Sequence, residues 1–211
     1  MSTLPISPWN HLCWKDEEMS FDLSALLKIY NEIFSKYSRH VQSQYYSGIG
    51  FQGNTDDDHL SVIKQGTLTG VKIGDVWETV TPDKIDAHVS RQQELLSVQH
   101  KVLCTGEFKK IVDYLEINGW RPFRARIMEV NPENPECWHI DGYEGSIRYH
   151  VPLLTNEECY LQWRDENNEI KSFHLPADGS GYWINTDVVH HYINRGSSMR
   201  AHIIIDLLKK S

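Results

Sequence analysis

The sequence predicts a mainly β chain, with an antiparallel sandwich or jelly roll in its C-terminal half behind a helical N-terminal part. Two observations lead there. After Gly119 come short runs of period-two alternation, broken by Gly, Asn, Asp and Pro, and side chains alternate between faces only in strands. Before Gly119 the clearest patterns have apolar residues at helical spacing. No internal repeat, linker or low-complexity segment divides the 211 residues. One domain over 1–211 is therefore the simplest organisation, with 1–120 helical or mixed and 121–208 forming the β core.

Taken in order, residues 22–37 carry Leu23, Leu26, Leu27, Tyr30, Ile33, Phe34 and Tyr37 on one helical stripe, with Asp22 placed to cap the start. Residues 44–53 are aromatic and glycine-rich, as in a bulged strand. Asp56, Asp57 and Asp58 form a solvated turn more readily than a cation site. Residues 67–80 read as two strands about a Gly-Asp turn, and 82–103 as partly helical around Gln92–Leu96. A second helix spans about 105–118, with Thr105 as cap, Phe108, Ile111, Val112 and Leu115 buried, and Asn118-Gly119 as stop. In 122–130, Phe123, Ala125 and Ile127 oppose Arg124, Arg126 and Met128 across a strand, with Arg126 facing either the cavity or, as the first expectation, the surface. Further strands are expected at 146–154, 158–164, 170–175, 181–185, 188–193 and 199–208.

The formal net charge is -8 and the pI about 5.7, which disfavours phosphate backbones and anionic membranes as partners. No apolar run approaches the roughly 20 residues of a membrane helix, and the first residues lack the basic and apolar regions of a signal peptide. Four cysteines without a C-x-x-C pair read as reduced thiols, and the expectation is a cytoplasmic protein.

Eleven histidines are the compositional oddity. In "WHID", His139 and Asp141 share a face if the segment is extended. Two histidines and a carboxylate on an iron(II) ion leave three positions for a bidentate 2-oxoacid and dioxygen. A third ligand is sought on a later strand, where His190 and His191 are the obvious candidates and His202 and His174 lesser ones. Strand neighbours face opposite ways, so only one of the doublet can serve. The 2-oxoacid's far carboxylate needs a cation, and Arg200 offers the matching fork. Cys137, beside the first candidate ligand, is read as a packed thiol. Trp138, Trp163 and Trp183 are core residues or pocket walls.

Five stretches, "RARIMEV", "WHID", "IRYHVPL", "HHYIN" and "RAHIIID", follow one another in a fixed order. Over roughly 122–207 this order resembles the aspartyl/asparaginyl β-hydroxylase-like branch of the iron(II)/2-oxoglutarate dioxygenases, which includes bacterial hydroxylases of free proline. The resemblance implies a double-stranded β-helix (jelly-roll) core with N-terminal and flanking helices. It implies that His139, Asp141 and His190 bind Fe(II), and that Arg200 pairs with the distal carboxylate of 2-oxoglutarate. Arg148 and His150 match positions that help hold the cosubstrate, and Asn194 matches a motif position of unassigned role. The register selects His190 over His191. Asp141 sets the chain apart from the animal aspartyl hydroxylases, which lack that carboxylate, and from halogenases, which vacate it. The family's serine contact to 2-oxoglutarate has no match, since Met128 stands nearby.

The resemblance implies hydroxylation of an unactivated C–H with O2, releasing succinate and CO2. A small molecule such as an amino acid is the first expectation for the substrate. The alternatives are an Asp, Asn or other side chain of a protein or peptide, a non-catalytic metal-binding module on the same barrel, and, less favoured, a zinc hydrolase.

Overall fold

The computed structural model describes residues 12–60, 71–73, 76–78, 97–139, 146–165, 167–186 and 188–210. The N-terminal elements are β1 (Cys13–Ser20), α1 (Leu23–Lys36), β2 (His40–Val41), β3 (Tyr46–Gly50) and β4 (Gln52–Gly53). Next come β5 (Val71–Ile73), β6 (Val76–Glu78), β7 (Val98–Gln99) and α2 (Gly106–Ile117). The C-terminal half holds β8 (Trp120–Val130), β9 (Ser146–Leu154), β10 (Cys159–Arg164) and β11 (Ile170–Phe173), then β12 (Ser180–Ile184), β13 (His190–Asn194) and β14 (Arg200–Lys209).

Two antiparallel sheets frame the described residues. The larger runs β1-β12-β9-β14-β8-β3-β2 and the smaller β11-β10-β13. An isolated bridge between His139 and His190 extends the smaller sheet past β13. From β8 onward the chain steps between them: β8 large, His139 small, β9 large, β10 and β11 small, β12 large, β13 small, β14 large. That alternation is a double-stranded β-helix, a jelly roll, and the chain is mainly β as the sequence predicts.

The main apolar core lies outside this roll. Leu26, Tyr30 and Ile33 of α1 and Phe108, Ile111, Val112 and Leu115 of α2 are buried. They pack in one cluster with Ile127, Tyr149, Val151, Ile203 and Ile205 of the larger sheet. Strand alternation then sends the intervening residues to the other face. These are Arg124, Arg126, Arg148, His150, Arg200, His202 and Asp206, all buried. With the main oily core set against the helices, the inner face of the roll carries these polar side chains beside a smaller apolar cluster of Leu161, Leu175, Tyr182, Ile184 and Val188.

Asp22 caps α1 as expected, its Oδ1 accepting from the Ala25 N–H at 3.0 Å. One buried carboxylate ties α1 and its exit to the sheet. Glu129 accepts from Tyr30 Oη (2.6 Å), Arg39 Nε (2.6 Å) and Ser47 Oγ (2.7 Å). Gly119 ends α2 at φ 84, a left-handed conformation open to glycine. Asp58 is spent on turn N–H groups of Asn54 and Leu60, and Asp56 pairs with Lys101, as in a solvated turn. Among the described residues no helix is long and apolar enough to cross a membrane.

Several expectations need correction. Thr105 sits at the start of α2 but makes no side-chain capping bond; its hydroxyl turns back to the Val102 carbonyl at 3.5 Å. Strand β1 is absent from the sequence reading because "CWKDEEMS" is charged. Among the described residues it is an edge strand, paired only with β12. Arg126 is buried, not on the surface, because Asp206 of the neighbouring strand accepts from it at 3.0 Å. Cys137 is exposed rather than packed. In the expected hairpin at 67–80, β5 and β6 pair antiparallel, and its Gly-Asp turn lies outside the described residues. So does the helix expected around Gln92–Leu96.

Candidate active site

His139 and His190 face each other across the bridge. The main chains exchange both hydrogen bonds, at 3.0 and 2.9 Å, and the ring centroids are 4.6 Å apart. Each ring is fixed in the same way. Nδ1 of His139 lies 2.7 Å from the Cys137 carbonyl, and Nδ1 of His190 lies 2.7 Å from the Val188 carbonyl. A carbonyl only accepts, so Nδ1 carries a proton in both rings, and in the neutral imidazole the lone pair is then on Nε2. Backbone-anchored imidazoles of this tautomer are what a divalent metal selects. Asp141 lies outside the described residues, and among those described no group of three His, Cys, Asp or Glu is arranged around one point.

His191 goes the other way. Its Nε2 lies 2.9 Å from Gln162 Oε1, and its ring packs on Trp138, tilted by 47°, at 4.1 Å between centroids. The Arg164 guanidinium covers the same indole at 4.9 Å. Burial pushes the His191 imidazolium down to about 4. His174 is also apart, its Nδ1 2.9 Å from the Cys159 carbonyl.

On the inner face of β13, Tyr192 follows His190 by two residues and lies between the histidine pair and Arg200. Its ring is 6.4 Å from that of His190, and the Arg200 guanidinium carbon sits over it at 4.2 Å. Arg200 is 3% exposed, and among the described residues no carboxylate pairs with it. Instead Nε and Nη2 lie 3.1 and 2.8 Å from the ring nitrogens of His202. Guanidinium only donates and a neutral imidazole has one acceptor nitrogen, so His202 accepts from Arg200 at one of these two contacts. Burial, then the Arg200 charge, hold the His202 imidazolium well below its ordinary value. Burial, then the neighbouring His202 and arginines, do the same to His150, which stacks on Tyr192 at 5.3 Å.

Arg148 is differently employed. Its Nε donates to Asp206 Oδ1 at 2.6 Å, while Arg124 and Arg126 each donate to Oδ2 at 3.0 Å. Burial alone would raise the Asp206 carboxyl, yet the three guanidinium charges hold it below its ordinary value. Arg124 takes φ 53 where the β8–β14 register shifts, as at a bulge.

Asn194 has a structural assignment. Its Nδ2 donates to the carbonyls of Val130 (3.1 Å) and Ser198 (2.9 Å), its Oδ1 accepts from Asn156 (3.1 Å), and its N–H donates to Asn134 Oδ1 (2.7 Å). It clamps the turn that launches β14 and so sets Arg200. Sequence reading missed Tyr192; its position two residues after His190 on a strand was the available signal.

The sequence profile of the family described as "Aspartyl/Asparaginyl beta-hydroxylase" matches residues 74–210. The chain belongs to this family. As a member it is an oxygenase of the hydroxylase type. No curated protein matches. Two solved structures are remotely similar. One is an oxidoreductase of the 2OG-Fe(II) oxygenase family from Burkholderia pseudomallei, with 8% identity over 86% of this chain and 77% of that one and a TM-score of 0.49. The other is a bsmA homolog from Methylobium petroleophilum PM1, with 9% identity over 89% and 85% and a TM-score of 0.42.

Proposed function

We propose that this family member is an Fe(II)- and 2-oxoglutarate-dependent dioxygenase that hydroxylates an unactivated C–H of a small molecule such as an amino acid. The observation that carries the reading is the pairing of two features across Tyr192. On one side are two backbone-anchored histidines with basic Nε2 atoms. On the other is a buried arginine that no carboxylate among the described residues neutralises. Burying such a cation is costly unless an anion completes it, and a dicarboxylate reaching from a metal to Arg200 would do so.

His139 and His190 would hold the metal with Asp141 as third ligand, leaving positions open for cosubstrate and O2. Iron(II) with 2-oxoglutarate supplies the oxidising chemistry when bound. The chain's own residues supply position and exclude water. The Cys137 and Val188 carbonyls hold the imidazoles in their ligating tautomer. Arg200 receives the distal carboxylate through its fork, Asn194 fixes where Arg200 begins, and Tyr192 fills the space between. His150 and His202, held neutral, offer hydrogen bonds without competing charge.

The test is anaerobic addition of 2-oxoglutarate to the Fe(II) protein, which should give a charge-transfer absorption band. A screen of amino acids, with Asp- and Asn-containing peptides as a second arm, should then show a substrate gaining one oxygen atom with matching succinate. His139→Ala should abolish both. Absence of the band in wild-type protein would refute the reading, and a peptide as the only oxidised compound would replace the small-molecule substrate.

A further inference from the structure

His191 is 1% exposed, and its Nδ1 has no hydrogen-bond partner among the described residues. The metal reading uses His190 and leaves this neighbour over. In an antiparallel ladder the residues flanking a hydrogen-bonded pair also face each other, with their side chains closer together. His139 and His190 are such a pair, so Trp138 and His191 meet on the opposite, outer face. Their ring centroids are 4.1 Å apart. The Arg164 guanidinium carbon lies over the same indole at 4.9 Å, while its Nη1 donates to the Asn168 carbonyl and Oδ1 at 3.2 and 3.3 Å. Glu136 Oε2 accepts from the indole N–H at 3.3 Å.

The two candidate ligands need the same support from the chain. Each Nδ1 contacts the carbonyl two residues back, Cys137 for His139 and Val188 for His190. Each ring therefore stays aimed only while the intervening residue keeps its place. For His190 that residue is Val189, whose carbonyl accepts from the Arg164 N–H at 3.2 Å. For His139 it is Trp138, which lies in no named strand and makes no main-chain hydrogen bond among the described residues. Its side chain supplies the hold instead, because an aromatic ring and a cation on the faces of an indole both attract it.

We propose that Trp138 is the positioning residue for His139, held from the outer face of the smaller sheet by His191 and Arg164. Arg164 then supports both ligands, His190 through the N–H that holds Val189 and His139 through the guanidinium that covers Trp138. The second histidine of the doublet is a platform rather than a ligand. This rests on the assignment of His139 and His190 as metal ligands.

The test is titration of Co(II) into the full metal-free chain, read by the visible band, so no turnover is needed. Trp138→Ala should raise the Co(II) Kd about tenfold and alter the band at saturation. Trp138→Phe keeps a ring between His191 and Arg164, and should bind within about threefold of wild type and show the wild-type band. His191→Ala leaves Trp138 under Arg164 and should also stay within about threefold. A residue serving only the fold would lower the melting temperature and leave Kd and band unmoved. Trp138→Leu makes the same comparison should the alanine variant not fold. Wild-type affinity without the indole, or a loss that phenylalanine does not recover, would overturn the proposal and leave the ligand assignment standing. Wild-type protein that binds no Co(II) would overturn both.

Discussion

His139 and His190 are joined by two main-chain hydrogen bonds, at 3.0 and 2.9 Å, that no other residue pair on the smaller sheet's edge beyond β13 repeats among the described residues. The bridge fixes the two backbones, and the two Nδ1 contacts to carbonyls fix the two rings. Both imidazoles are thus set before any metal arrives.

The first prediction separates the adjacent histidines. His139→Ala and His190→Ala should each weaken Fe(II) or Co(II) binding by at least about a hundredfold, since each removes one of few ligands. His191→Ala should retain binding while losing the ring contact with Trp138 and the contact to Gln162. Metal titration under argon, followed by the Co(II) visible spectrum, distinguishes them. Equal loss in all three variants would refute the assignment.

Arg200→Lys should not rescue Arg200→Ala. Lysine offers a point charge where a planar fork lies over the Tyr192 ring. Affinity for 2-oxoglutarate should fall about ten- to a hundredfold in the lysine variant, with metal affinity unchanged. Equilibrium dialysis with labelled cosubstrate reads both quantities.

The carboxylate of Glu129 should matter to stability rather than to chemistry. Tyr30→Phe removes one of its three donors and should cost about 1–2 kcal/mol in urea unfolding. Glu129→Ala strands Tyr30, Arg39 and Ser47 together and should cost about 3–5 kcal/mol. Metal affinity of the folded Tyr30→Phe protein should match wild type.

Stability should fall as the solution is acidified below about pH 6.5, the ordinary histidine range. His150 and His202 have folded values well below that range because both are buried. Over the window between the unfolded and folded values, the unfolded chain binds protons that the folded chain refuses. Unfolding free energy therefore rises with pH there, by at most about 2.7 kcal/mol per pH unit for two such groups. Urea midpoints at pH 7.5 and 5.5 measure it, and His202→Gln should shrink the difference. A pH-independent midpoint in wild type would contradict the burial argument.

Local pattern alone determined much of this chain. The apolar stripes over 22–37 and 105–118 yield α1 and α2, and the alternation in "RARIMEV" yields β8, because helix and strand periods are properties of neighbouring residues. The order of "WHID", "IRYHVPL", "HHYIN" and "RAHIIID" singled out the residues worth inspecting. Tertiary structure decided what depends on partners distant in sequence. The charged β1 became a strand because β12 had an open edge. Arg126 went inside because Asp206 of β14 came within reach of it, and no local period reports a distant counter-ion. Strand parity separates His190 from His191 but cannot say which face is inward; the bridge to His139 does. The contact of Trp138 with His191 and Arg164 is likewise visible only once that bridge and the β10–β13 pairing have formed, because residues distant in sequence share a face only after their strands pair.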